Sequence, residues 1–177
     1  MNTDKQNFQK WLVGNENITH TIHITPNKYS DTQMRKYLRW VNFELNKTFL
    51  PRRFYNFKKQ FDRFMFMVFR EYQHTDKGRH YHVAIHTPDS VTKHYSGNCF
   101  CSRKDAKQII TEPCEYCIEF RLRDIFKELK PNIKTTIRNT TTHSEYEGSQ
   151  IVYVSKQLPN RFAGDYKTDN FYIVGNG

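Results

Sequence analysis

Residues 63–87 read RFMFMVFREYQHTDKGRHYHVAIHT, and the way this stretch folds decides the architecture of the chain. An apolar run, Phe64 to Phe69, leads through Arg70 and Glu71 into a polar segment that includes Gly78, and resumes as His80-Tyr81-His82-Val83-Ala84-Ile85. Two such runs about a polar, glycine-containing segment predict a β-hairpin. Side chains alternate along a strand, so His80 and His82 share a face with Ala84 and His86, away from Tyr81, Val83 and Ile85. A turn about Thr75-Asp76 sets Glu71 opposite His80 on the same face. Two imidazoles and a carboxylate are then in reach of one divalent cation, a donor set that suits Mn²⁺ or Mg²⁺. His74 and Asp76, in the turn, are rival donors for the third position.

Upstream of the hairpin, Ile18 to Thr25 (ITHTIHIT) alternates cleanly and predicts a strand. Its pattern places Ile18, Ile22 and Ile24 with His20 on one face, and Thr19, Thr21, His23 and Thr25 on the other. Ser30 is a good N-cap for a helix whose apolar positions Met34, Leu38, Val41 and Leu45 follow helical spacing, ending near Asn46 to Thr48. Residues 1–17 are polar apart from Trp11-Leu12-Val13 and read as a frayed arm or a short docking helix. A basic connection, PRRFYNFKKQFDR, leads from the helix into the hairpin.

Downstream, Ile118 to Lys130 predicts a helix with Ile118, Leu122, Ile125 and Leu129 along one stripe, stopped by Pro131. Ile133 to Thr140 predicts a strand that separates Ile133 and Ile137 from Lys134, Thr136 and Arg138, and Asn170 to Val174 a last one. The expected fold is one α+β domain over residues 1–177. It has a central antiparallel sheet of RRM-like or ferredoxin-like type, helices on one face, and an open, polar face.

Composition narrows the function. Twenty-eight Lys and Arg against 18 Asp and Glu give a formal charge of +10, which in a chain of 177 residues points to a polyanionic partner. The aromatic content of 15% adds rings on which bases stack. The apolar run Phe64 to Phe69 is too short to cross a bilayer, and the N-terminus lacks the apolar core of a signal peptide. The expectation is an intracellular protein, in the cytoplasm of its host or in the nucleus of a eukaryotic one, with no membrane partner.

Ser149 to Leu158 (SQIVYVSKQL) carries the chemistry. Its β-branched residues suit a strand, but at 100° per residue Ile151, Val152, Val154 and Leu158 fall in one arc and Tyr153, Lys156 and Gln157 in the opposite one. That segregation favours an amphipathic helix. A Tyr153 phenolate attacking a phosphodiester conserves the energy of the broken bond in a covalent phosphotyrosine. Lys156, one turn on, is placed to favour the phenolate or to hold the phosphate. His23, Lys134 and Arg138, on the open side of their strands, are candidate DNA contacts, the last two tracking phosphates.

Glu71, the His80-Tyr81-His82 triplet and Tyr153-Val154-Ser155-Lys156, in this order on a basic chain, resemble the HUH endonuclease superfamily in its single-tyrosine replication-initiator branch. The resemblance spans about Ile18 to Leu158. It implies nicking of single-stranded or hairpin origin DNA, a 5′-phosphotyrosine link, a free 3′-OH for rolling-circle synthesis, and later strand joining. It also makes Gln157 the main rival to Glu71 as third ligand, because related single-tyrosine transposases take a ligand from that helix. No G-x-x-x-x-G-K-[ST] stretch is present, so unwinding falls to a separate helicase. The alternatives are a single-tyrosine transposase of the same superfamily, or a non-catalytic RRM-like nucleic-acid binder with a zinc knuckle.

Residues 91–117 read as an insertion that holds all four cysteines. Cys99, Cys101, Cys114 and Cys117 have the count and clustering of a structural zinc site. Reduced thiols or two disulfides are the other readings.

Overall fold

The computed structural model pairs β2 (Met65–Tyr72) with β3 (Arg79–His86) as an antiparallel hairpin, and Glu71 stands opposite His80. The described residues are 4–26, 29–50, 62–72, 79–91, 118–128, 133–139, 155 and 171–175. Around the hairpin they form α1 (Asp4–Gly14), β1 (Ile18–Pro26), α2 (Asp31–Phe49), α3 (Ile118–Glu128), β4 (Ile133–Asn139) and β5 (Phe171–Val174). The five strands make one antiparallel sheet in the order β4-β1-β3-β2-β5. β1-α2-β2 and β3-α3-β4 are strand-helix-strand units interleaved as in ferredoxin-like and RRM-like sheets, with β5 added at the β2 edge.

Helix α2 begins where the sequence places it. Ser30 Oγ accepts from the Gln33 amide at 3.3 Å, and the Gln33 side chain accepts from the Ser30 amide at 2.8 Å, a reciprocal capping box. Met34, Tyr37, Leu38, Val41 and Leu45 of α2 pack with Ile118, Leu122, Ile125 and Phe126 of α3. They lie over Ile22, Ile24, Phe66, Val68, Tyr81, Val83, Ile85 and Ile137 of the sheet. Full burial of one such side chain stabilises the fold by about 1.5–3 kcal/mol. Asn42 and Asn46 are buried on the same helix, and their amides satisfy the backbone oxygen and nitrogen of Phe64 at 3.0 Å, fixing the start of β2.

The other face carries α1, so residues 4–14 form the docking helix rather than a frayed arm. Leu12 is fully buried with Ile18, Met67, Phe69, Ala84 and Phe171, and Phe8 packs edge-on to Phe171 at 5.5 Å between ring centroids. This corrects the side assigned to Ile18 by simple alternation. A register shift between Ile18 and His20 adds a residue to β1, so Ile18 pairs with His86 and joins the α1 cluster. His20 pairs with Ile85 and faces α2 and α3. The irregular end of the strand is held by side chains: Thr19 Oγ1 lies 2.8 Å from Nδ1 of His20 and 2.5 Å from Oγ1 of Thr87. Among the described residues no helix is long and apolar enough to cross a membrane.

Candidate active site beside helix α1

Strand register sets out the second face in three rows. The first runs Lys134, Thr25, His80, Glu71, from β4 across β1 and β3 to β2. The second runs Thr136, His23, His82, Phe69, Phe171. The third runs Arg138, Thr21, Ala84, Met67, Ile173. α1 covers Met67, Phe69, Ala84 and Phe171, and among the described residues no helix packs on the half that holds Lys134, Thr25, His23, His80, His82 and Glu71. The alternation that the sequence displays in β1, β3 and β4 is what puts these polar groups together.

Glu71 is opposite His80 by backbone register, as the expected turn requires, but its carboxylate reaches diagonally: Oε2 lies 3.0 Å from Nε2 of His82. Both side chains are largely buried, at 14% and 12% exposure, so the interaction is shielded from solvent. His80 has a different partner. Its Nδ1 is 3.0 Å from Thr25 Oγ1, while its Nε2 is buried and has no hydrogen-bond partner among the described residues. The ring of His23 stacks on His80, with centroids 5.1 Å apart and planes at 18°, and lies 4.8 Å from the ring of His82. Three imidazoles and a carboxylate are therefore contiguous, with His23 in the middle of the cluster.

As placed, no three His, Cys, Asp or Glu side chains among the described residues form a group that could hold a metal ion. His82 and Glu71 hold each other instead. The donor set nevertheless fits a hard to borderline divalent cation: a buried imidazole nitrogen with no partner among the described residues, a second imidazole, and a carboxylate on the adjacent strand.

An ion-pair cluster beneath the sheet pins the end of the hairpin where these groups sit. Arg70 and Tyr81 form a cross-strand pair next to Glu71 and His80 but point to the opposite face. Asp31, in the first turn of α2, accepts from the Arg70 guanidinium and the Tyr81 hydroxyl and lies 3.2 Å from Arg79 Nη1. Burial alone would raise the Asp31 carboxyl, but the Tyr81 hydrogen bond and the two guanidiniums outweigh it and hold the group below its ordinary value. Burial, together with Asp31, pushes the Tyr81 phenol upward, so it stays a neutral donor.

Lys134 is exposed on β4 and shares its face with Thr136, the cross-strand partner of His23, while the backbone of Arg138 pairs with Thr21. Tyr153, Lys156, Gln157, His74, Asp76 and Cys99, Cys101, Cys114 and Cys117 lie outside the described residues. Ser155, between Tyr153 and Lys156 in the chain, is fully buried and accepts a hydrogen bond from Gln9 Nε2 of α1 at 2.9 Å. The sequence reading missed three participants: Thr25 as a partner of His80, Gln9 as the tie to Ser155, and Asp31 as the lock on the hairpin. Only the capping position of Ser30 hinted at the last, because it puts Asp31 at a helix N-terminus beside a strand end. Comparison of the chain with protein-family models, with curated proteins and with solved structures finds no match in any of the three.

Proposed function

We propose that this protein is a metal-dependent, single-tyrosine endonuclease that nicks single-stranded or hairpin origin DNA and later rejoins the strands, initiating rolling-circle replication of a small replicon. The observation that carries the reading is the contiguity of His80, His82 and Glu71 on one face of the sheet beside α1, with His80 Nε2 buried and unpartnered among the described residues. The formal charge of +10 and Lys134 on the same face support a polyanionic substrate.

His80 and His82 with Glu71, or with Gln157 in its place, would hold Mn²⁺ or Mg²⁺. When bound, the ion supplies Lewis-acid polarisation of a non-bridging phosphodiester oxygen. The remaining chemistry belongs to side chains. The Tyr153 phenolate oxygen attacks phosphorus, the bond from phosphorus to the 3′ oxygen breaks, and that oxygen takes up a proton and leaves as a 3′-OH. The product is a 5′-phosphotyrosine, which a 3′-OH reseals by the reverse step. Lys156 favours the phenolate or holds the phosphate, while Lys134, Arg138 and His23 contact the DNA strand. Cys99, Cys101, Cys114 and Cys117 hold a structural zinc ion, and a separate helicase unwinds the duplex.

A second reading has one observation in its favour. The hydrogen bond between His82 and Glu71 occupies two of the proposed donors, as it would in a non-catalytic nucleic-acid-binding sheet. One experiment separates the two. Pools of single-stranded oligonucleotides, including stem-loops, are incubated with the protein and Mn²⁺ and resolved on a denaturing gel. A covalent protein-DNA adduct that disappears with EDTA and in Tyr153→Phe is expected. An adduct that persists in Tyr153→Phe overturns the nucleophile, and binding without an adduct in every pool supports the binding module.

A further inference from the structure

We propose that Thr25 is a positioning residue for His80: its hydroxyl oxygen accepts the Nδ1–H of His80, which leaves the Nε2 lone pair as the one presented to a divalent cation. The proposal rests on the reading of this face as a metal centre. Its own support is the geometry around one ring.

An imidazole ligates through a nitrogen that carries no proton, and the hydrogen bond at the other nitrogen selects which one that is. His80 Nδ1 lies 3.0 Å from Thr25 Oγ1, and Nε2 is buried with no partner among the described residues. If the hydroxyl donated to Nδ1, the proton would sit on Nε2 as a buried donor with no acceptor among the described residues. Without an ion either tautomer leaves Nε2 unsatisfied, at about 1–3 kcal/mol, but an N–H there could never be satisfied by a cation. With the proton on Nδ1, the buried atom is a lone pair, and a cation satisfies it. The ring is further restrained by the His23 imidazole stacked on it at 5.1 Å and 18°. One edge and one face of His80 are thus fixed before any ion arrives.

The two histidines of the triplet therefore differ in readiness. His82 Nε2 lies 3.0 Å from Glu71 Oε2, an interaction that loading with metal has to replace. The Thr25 bond to His80 is on the far nitrogen and persists when Nε2 takes a ligand. Thr25 follows Ile24, which pairs with Tyr81, and is flanked on its other side by Lys134 of β4. Sheet register, rather than a flexible loop, holds the hydroxyl in place.

The test uses the full chain with Thr25→Val, which keeps a β-branched side chain of similar size in the strand, and Thr25→Ser, which keeps the hydroxyl. Long-range ¹H–¹⁵N spectra of the metal-free protein read the His80 tautomer directly. The expected result is Nδ1–H in wild type and Thr25→Ser, and a shift toward Nε2–H in Thr25→Val. Calorimetric titration with Mn²⁺ alone should show Thr25→Val weakened about 10–100-fold and Thr25→Ser close to wild type. An Nε2–H tautomer in wild type, or equal tautomers and equal Mn²⁺ affinity in wild type and Thr25→Val, overturns the role of Thr25 alone. A wild-type protein whose Mn²⁺ binding is absent, or is unchanged by His80→Ala, overturns the metal reading and the purpose assigned to Thr25 with it.

Discussion

Glu71 faces His80 across the β2–β3 ladder, yet its carboxylate is bonded to His82, one pair further along the hairpin. Glu71 thus neighbours both histidines of the triplet from one backbone position, His80 by strand register and His82 through its carboxylate. Glu71→Gln keeps the shape and removes the charge. It should weaken Mn²⁺ binding by more than the roughly 10–100-fold that loss of an outer partner causes, without lowering the thermal midpoint by more than a few degrees. Titration calorimetry and a thermal melt check both halves of this expectation. Unchanged Mn²⁺ affinity would transfer the third-ligand role to Gln157.

Asp31 lies on the side of the sheet away from the histidines and ties α2 to the hairpin through Arg70, Tyr81 and Arg79. Asp31→Asn leaves the Arg70 guanidinium, 10% exposed, without its carboxylate, and should cost about 2–3 kcal/mol at pH 7. The sign with pH follows from the lowered folded-state value of the Asp31 carboxyl. Its contribution is complete above the unfolded value of about 3.9 and is lost as pH falls through the folded one. The gap between wild type and Asp31→Asn in urea unfolding should therefore be constant from pH 7 down to about 4 and shrink as the pH is lowered further.

His20 behaves in the opposite sense. Burial pushes its imidazole down to about 3, so the folded chain keeps it neutral where the unfolded chain, at about 6.5, takes up a proton. The unfolded state then binds more protons between these values, and stability falls as pH drops through that window, by about 1.4 kcal/mol per pH unit. His20→Gln should flatten this slope. His86, also lowered by burial, contributes in the same direction.

Helix α1 docks through few side chains. Leu12→Ala empties a fully buried position and should cost about 2–5 kcal/mol, whereas Val13→Ala, at a position 49% exposed, should stay within about 0.5 kcal/mol. Chemical denaturation of the two variants measures the contrast. Equal losses would mean that α1 is held by something other than its apolar stripe.

The cysteine segment gives a prediction independent of the nuclease chemistry. Purified protein should carry one equivalent of zinc by elemental analysis, and replacing Cys99 and Cys114 with Ser should remove it. Free thiols in the metal-free wild type would favour plain reduced cysteines.

Much of this arrangement is legible along the chain because the rules involved are local. Alternation in residues 18–25, 80–86 and 133–139 assigns faces, the Ser30 cap starts α2, and the spacing of Ile118, Leu122 and Ile125 makes the α3 stripe. Those rules fail where a contact is set by partners far away. The extra residue near Thr19 answers to Thr87, and Ile18 changes face because α1 offers it a cluster that periodicity does not encode. Thr25 meets His80 only after strands distant in sequence have paired, whereas Glu71 and His82 lie on one hairpin. The diagonal reach of one carboxylate is a choice of side-chain torsion, which no spacing argument contains.

The border of the α1 footprint has a physical consequence. His82 and Phe69 are cross-strand neighbours, one belonging to the polar cluster and the other to the aromatic patch beneath α1. His82 and Glu71, themselves largely buried, thus stand at the border between a dry plate of Phe8, Phe69 and Phe171 and the polar groups toward β4. Field lines that enter the low-dielectric plate are weakly screened, so a charge placed on this border is felt more strongly from its apolar side than from its polar one.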